Sequence, residues 1–155
     1  MPQSASDVTA GVGLFVRHRR PRTMREQAPV VAAVSLGGAI GACARYAIAL
    51  VWPTHADGFP WATLAANVSG CALMGALMVA ITELWVGHRL LRPLLGTGVL
   101  GGYTTFSAFA GDVDTLAAGQ PVRALLYLVA TPVLVLITTW TAAALTRRLI
   151  IRRTP

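Results

Sequence analysis

The stretch Gly96-Thr97-Gly98-Val99-Leu100-Gly101-Gly102-Tyr103-Thr104-Thr105-Phe106-Ser107-Ala108-Phe109 decides how this chain folds. Four of its first seven residues are glycine. Each mid-helix glycine costs about 1 kcal/mol relative to alanine, so these four make a poor continuous helix. Three hydroxyls, on Thr104, Thr105 and Ser107, then sit between the rings of Tyr103, Phe106 and Phe109. The pattern predicts a helix interrupted at Gly101–Phe106. Unwound backbone at membrane depth persists only where protein buries it or where it lines a cavity. Interrupted helices are also where transporters hold ions, through exposed carbonyls and helix N-termini. The segment is therefore read as the seat of an ion site.

Its surroundings are membrane-like. Of 155 residues, 55% are hydrophobic and only 12% charged, with a mean hydropathy of +0.61. A soluble domain carries about 25% charged residues. Four stretches, at about 30–52, 59–84, 93–118 and 124–146, contain only Arg45, Glu83, Asp112 and Asp114 as charges. About 20 apolar helical residues cross a hydrocarbon core, so each stretch is long enough. The expected architecture is all-α: four transmembrane helices within residues 29–147, the third broken. Residues 1–28 form a basic, disordered tail and residues 148–155 a shorter basic one. The first apolar stretch is longer than a signal-peptide core, so it reads as a retained span.

The net charge of +7 does not signal nucleic acid, because the arginines flank the apolar spans and lysine is absent. Juxtamembrane arginine is the usual mark of membrane orientation. Cys43 and Cys71 fall inside predicted spans, without a metal-binding spacing, and read as small packing residues. His18, His55 and His88 lie in the tail or loops. No catalytic triad or paired carboxylates assemble within the spans, which argues against an enzyme.

A small proton-coupled exporter would need an ionisable relay mid-membrane, and the first span has no acid. The spans offer uncharged donors instead. Thr63 and Asn67 share a helix face, as do Tyr127 and Thr131, and the break adds Thr104, Thr105 and Ser107. A buried asparagine must find partners or line a polar path. The plainer expectation for the threonines is a bond back to their own helix. Phe106 and Phe109 lie three apart, and the positive edge of a phenyl ring can face an anion. Donors plus ring edges, with no fixed base, suit a small desolvated anion.

Three motifs occur in order: Gly37-Gly38-x-x-Gly41-Ala42-x-x-Arg45-Tyr46, then Thr63-x-x-x-Asn67-x-x-Gly70, then Gly101-Gly102-Tyr103-Thr104-Thr105-Phe106-Ser107-x-Phe109. Together they resemble the fluoride channel family called Fluc or CrcB, over about residues 30–146. The resemblance implies a fluoride-selective passive channel in a bacterial inner (plasma) membrane. It also implies an antiparallel, dual-topology dimer with two pores and a structural sodium ion at its two-fold axis. The Na+ ligands would be the carbonyls of Gly101 and Thr104. Phe106 and Phe109 would be the phenylalanine pair, Asn67 the pore asparagine, and Tyr127 and Thr131 a polar track. Thr131 stands where the family has serine, and Asp112 falls where a glutamate often sits. Arg45 would line a vestibule. The expected pore lining is thus Thr63, Asn67, Thr105, Phe106, Ser107, Phe109, Tyr127 and Thr131.

Charge placement adds an expectation of its own. With the N-terminus inside, Arg17, Arg19, Arg20, Arg22, Arg25, Arg89, Arg92, Arg147, Arg148, Arg152 and Arg153 fall on the inner side, against Arg45 and Arg123 outside. That bias predicts one fixed orientation with both termini cytoplasmic. An antiparallel dimer would then form with an oppositely oriented paralogue; the alternative is a dual-topology homodimer of this chain, with the tail's arginines trimmed or overridden. Two other readings remain: a small proton-coupled exporter, and a non-conducting partner subunit.

Overall fold

The computed structural model describes residues 24–54, 58–84 and 89–152. Every regular element among them is helical: α1 (Met24–Val51), α2 (Trp61–Glu83), a π-helical segment (Arg92–Leu100), α3 (Gly101–Tyr103), α4 (Phe106–Gly119) and α5 (Pro121–Ile151). α1, α2 and α5 are long and apolar enough to cross a membrane. The stretch from Arg92 to Gly119 comes in pieces, interrupted at Thr104 and Thr105, where ψ rises to 155° and 130°.

Element ends differ from the sequence expectation in two places. α1 begins at Met24, so the tail expected over 1–28 is helical from there; residues 1–23, with their arginines, lie outside the described residues. α5 runs on to Ile151, because Arg147 to Ile151 contains neither glycine nor proline to stop it. His55, Asp57, His88 and Arg153 also lie outside the described residues.

Two parallel helix pairs build the bundle. In the first, α1 lies against the π-helical segment and α3. A Cβ added to Gly98 would stand 2.9 Å from the Gly37 Cα, and one on Gly102 would stand 3.0 Å from the Gly38 Cα. A Cβ on Gly41 would meet the Val99 carbonyl and the Tyr103 nitrogen. Backbone thus touches backbone along this seam, which only glycine permits.

In the second pair, α2 runs alongside α5. Gly75 abuts Thr139, and at one end Arg147 Nε donates to Glu83 Oε1 at 2.9 Å. The same sequence separation, 64, joins both contacts, so the pair is parallel and in register. α2 is antiparallel to the interrupted stretch: Asn67 meets Thr105, whereas Met78 lies beside Gly96. These directions gather Arg25, Arg89, Arg92, Arg147, Arg148 and Arg152 at one end of the bundle and leave Arg123 at the other.

The glycine run corrects one expectation. Gly96, Gly98, Gly101 and Gly102 do not unwind the chain, and none of the described glycines has a positive φ. They are helical, and the Gly101 N–H reaches back five residues to the Gly96 carbonyl in π fashion. At Gly98 and Gly102 the missing side chains make room for α1, whereas Gly96 faces Met78 of α2, and the packing gained at these positions offsets poor helix propensity. The break expected over Gly101–Phe106 shrinks to Thr104–Thr105.

Buried residues are few, and one cluster stands out: Phe109, Leu116, Ala124 and Tyr127, flanked by Phe59, Leu64 and Val113. It anchors α4 to α5 immediately beyond the break. Most large apolar side chains of α1 and α5 remain exposed, as expected of faces that meet lipid or another helix rather than water.

Candidate ion site

The break leaves backbone groups that a continuous helix would have paired, and a small set of side chains takes them. Thr104 N–H still reaches the Leu100 carbonyl at 3.0 Å, and Thr104 Oγ1 donates to the same oxygen at 2.9 Å. At Thr105 the helical pattern stops. Its N–H donates to Asn67 Oδ1 at 2.8 Å, and its carbonyl accepts from Asn67 Nδ2 at 3.0 Å. The asparagine amide therefore pairs with Thr105 as a neighbouring strand would. Thr105 Oγ1 then caps α4, accepting from the Ala108 N–H at 3.1 Å.

Two carbonyls lose their helical donors as a result. In an unbroken helix Thr105 N–H would serve Gly101, and Ala108 N–H would serve Thr104. Both donors are engaged elsewhere, by Asn67 and by the Thr105 hydroxyl. A third carbonyl, that of Gly102, accepts from Arg45 Nε at 3.4 Å. The arginine of the first motif thus reaches across to the break.

The break opens onto a cavity of about 450 Å³, walled by Asn67, Gly101, Thr104, Thr105, Phe106, Phe109 and Thr131, with Cys71, Pro132 and Val135. The C-terminal end of α3, negative by its carbonyls, and the N-terminal end of α4, positive by its N–H groups, face each other across two residues. One break thereby offers a cation-seeking end and an anion-seeking end. The donor set fits a hard cation, which takes oxygen ligands. Among the described residues no group of three or more His, Cys, Asp or Glu could hold a metal.

Phe106 and Phe109 differ sharply. Their ring centroids are 5.7 Å apart, yet Phe109 is 5% exposed and Phe106 80%. Phe109 continues into Tyr127 at 5.2 Å, which stacks edge-on with Phe59, also at 5.2 Å. Phe59 and its neighbour Trp61, 4.5 Å away, extend this row. Phe59 and Trp61 open the second apolar stretch, where aromatic residues commonly mark a membrane interface; the structure adds their contact with Tyr127 through Phe59.

The hydroxyls separate just as clearly. In α5, Thr138, Thr139, Thr141 and Thr146 all donate to carbonyls of their own helix. Thr131 is 4% exposed, and its Oγ1 has no hydrogen-bond partner among the described residues. Of the residues expected to line a pore, Asn67, Thr105, Phe106, Phe109 and Thr131 come together here, as do Gly101 and Thr104. The other three stand apart from the cavity wall. Ser107 pairs with the Thr105 hydroxyl at 3.2 Å, Tyr127 donates to Asp112 Oδ2 at 3.4 Å, and Thr63 lies half-buried on α2. Cys71, Pro132 and Val135 were not anticipated as wall residues; Cys71 follows Asn67 by one helical turn, which is the spacing that could have found it.

Residues 32–143 match the family described as CrcB-like protein, Camphor Resistance (CrcB). The chain is 53% identical over 132 residues to "Fluoride-specific ion channel FluC 2" of Streptomyces avermitilis, covering 84% of each chain. It is 55% identical over 127 residues to "Fluoride-specific ion channel FluC 1" of Streptomyces coelicolor, covering 81% of this chain and 82% of the relative. "Fluoride-specific ion channel FluC 3" of Streptomyces avermitilis is 47% identical over 87 residues, covering 56% and 43%.

Proposed function

The chain belongs to the CrcB family, and we propose that it forms a fluoride-selective channel through which the ion leaves the cell passively. Its relatives are named as channels rather than enzymes. The observation that carries the reading is the cavity at the break: phenyl rings, a free hydroxyl and a helix N-terminus converge on it. No carboxylate or imidazole is among the described residues of its wall, which favours an anion path over a proton relay. In this reading Asn67, Phe106, Phe109 and Thr131 line the path, with Thr105 and Ser107 at its break and Tyr127 and Thr63 behind. Arg45 adds positive charge near the centre.

The Gly101 and Thr104 carbonyls, stripped of their helical donors, would hold Na+. When bound, the ion supplies a fixed positive charge that makes the centre attractive to anions. The exposure of Phe106 supports assembly as an antiparallel dimer, in which the second chain covers the ring and completes the path. Four crossings per chain follow if the interrupted stretch Arg92–Gly119 spans the membrane alongside α1, α2 and α5.

The gathering of arginines at one bundle end supports a fixed orientation with that end cytoplasmic. The partner is then an oppositely oriented paralogue, and the FluC 2 and FluC 3 of Streptomyces avermitilis show that one organism can hold more than one such chain. Compartment-specific reporters on each terminus test this: signal from one side only is expected, and equal signal from both refutes it.

Phe106→Ile replaces the ring with an aliphatic group of similar bulk. Fluoride efflux from liposomes containing the assembled dimer should then nearly vanish, measured with a fluoride electrode. Undiminished efflux would remove the phenyl pair from the path.

A further inference from the structure

Asn67 stands in the cavity wall, but both polar ends of its amide are already engaged by one residue. Thr105 offers a single donor and a single acceptor, so Oδ1 must face its N–H and Nδ2 its carbonyl. At 7% exposure the asparagine is buried. Thr105 is half-buried, so water competes only weakly for this pairing.

Consider the Thr105 N–H without this partner. Left unpaired in a half-buried place, it would cost at most about 1–3 kcal/mol. Its alternative acceptor is the carbonyl four residues earlier, Gly101, which is where any α-helix would send it. Taking that bond would close the break and cover one of the two carbonyls offered to a cation. Room for the open form comes from Gly70, one turn along α2: a Cβ there would fall 2.5 Å from Thr104 Cγ2 and 2.8 Å from Tyr103 Cδ1. The neighbouring Ser69 hydroxyl lies 2.9 Å from the Tyr103 hydroxyl, fixing α2 to α3 at the same level.

We propose that Asn67 is a positioning residue for the cation site, holding the break open by capturing the Thr105 N–H that would otherwise cover the Gly101 carbonyl. The inference rests on the cation-binding part of the reading above. It gives Asn67 a role in cation affinity that is separable from any contact with a passing anion.

Titration of NaCl into the sodium-free assembled dimer, in detergent and an N-methylglucamine buffer, reads that affinity through tryptophan fluorescence and the thermal unfolding midpoint. Asn67→Leu removes the acceptor and should weaken Na+ binding by about tenfold or more, as loss of an outer-shell partner does at other metal sites. Asn67→Asp keeps an oxygen for the Thr105 N–H while losing the donor to its carbonyl, and should bind Na+ more tightly than Asn67→Leu. Arg147→Gln, at the exposed far end of α2 and α5, should leave Na+ affinity unchanged. If wild type shows no saturable Na+ response, the cation site itself is refuted. If wild type responds and Asn67→Leu binds equally well, only the positioning role is overturned. Should Asn67→Leu fail to assemble, Asn67→Asp decides: loss of Na+ binding in that assembled variant overturns the proposal, and retention supports it.

Discussion

The two parallel seams of the bundle solve the same packing problem in opposite ways. Along α1, the π-helical segment and α3, Gly37 and Gly38 meet Gly98 and Gly102, Gly41 meets Val99 and Tyr103, and main chain lies directly on main chain. Along α2 and α5, Gly75 supplies a close approach at Thr139, and farther along the seam Asn67, Cys71, Thr131 and Val135 border the cavity at the break. The first seam leaves no space for a side chain, whereas the second forms one side of the cavity of about 450 Å³ whose other side is the break. In lipid, helices gain little from hiding apolar surface, so close van der Waals contact has to hold them. The glycine seam supplies that contact. The α2–α5 seam can then carry the polar groups and the cavity.

Altering each seam should give different kinds of failure. Gly98→Leu drives a side chain into the backbone of α1 and should cost about 3 kcal/mol or more. The expected result is little monodisperse protein after detergent extraction, with a lowered unfolding midpoint in what remains. Thr131→Val sits in the other seam and replaces an unpartnered buried hydroxyl with a methyl of equal size. Stability should hold or rise slightly, while fluoride flux should drop about tenfold, the equivalent of one hydrogen bond to a charged group. A fall in stability without a change in flux would reverse the roles of the seams. Arg147→Gln removes the ion pair at the exposed end of α2 and α5, where the arginine side chain is 62% exposed. Its effect on the unfolding midpoint should correspond to less than about 0.5 kcal/mol.

Much of this organisation is legible in the residues themselves. Long uncharged stretches announce the helices, and Phe106 and Phe109 announce themselves by their spacing beside three hydroxyls. The glycines mislead because composition reports that a side chain is missing, not what uses the vacant space. At Gly98 and Gly102 the space goes to α1 rather than to an unusual backbone angle. Asn67 misleads for a related reason. A membrane asparagine needs partners, but only the fold shows that Thr105 satisfies both ends of its amide. Arg45 is similar: sequence places it near an outer end, while its long side chain carries the guanidinium back to Gly102. The row from Phe109 through Tyr127 to Phe59 joins three helical regions distant in sequence, so no local pattern could have displayed it.

The interruption at Thr104–Thr105 also bears on how the chain enters the membrane. α1, α2 and α5 are long and apolar enough to cross a membrane, and as continuous helices they can pair most of their backbone groups internally. The stretch around the break cannot, because its freed N–H and carbonyl groups depend on Asn67 and Arg45. Both of those residues precede it in the chain, on helices synthesised earlier. Inserted in the order of synthesis, α1 and α2 would offer these hydrogen-bond partners before the interrupted stretch arrives. The order of the sequence thus doubles as an order of insertion, in which the helix least able to enter alone arrives after the two that receive it.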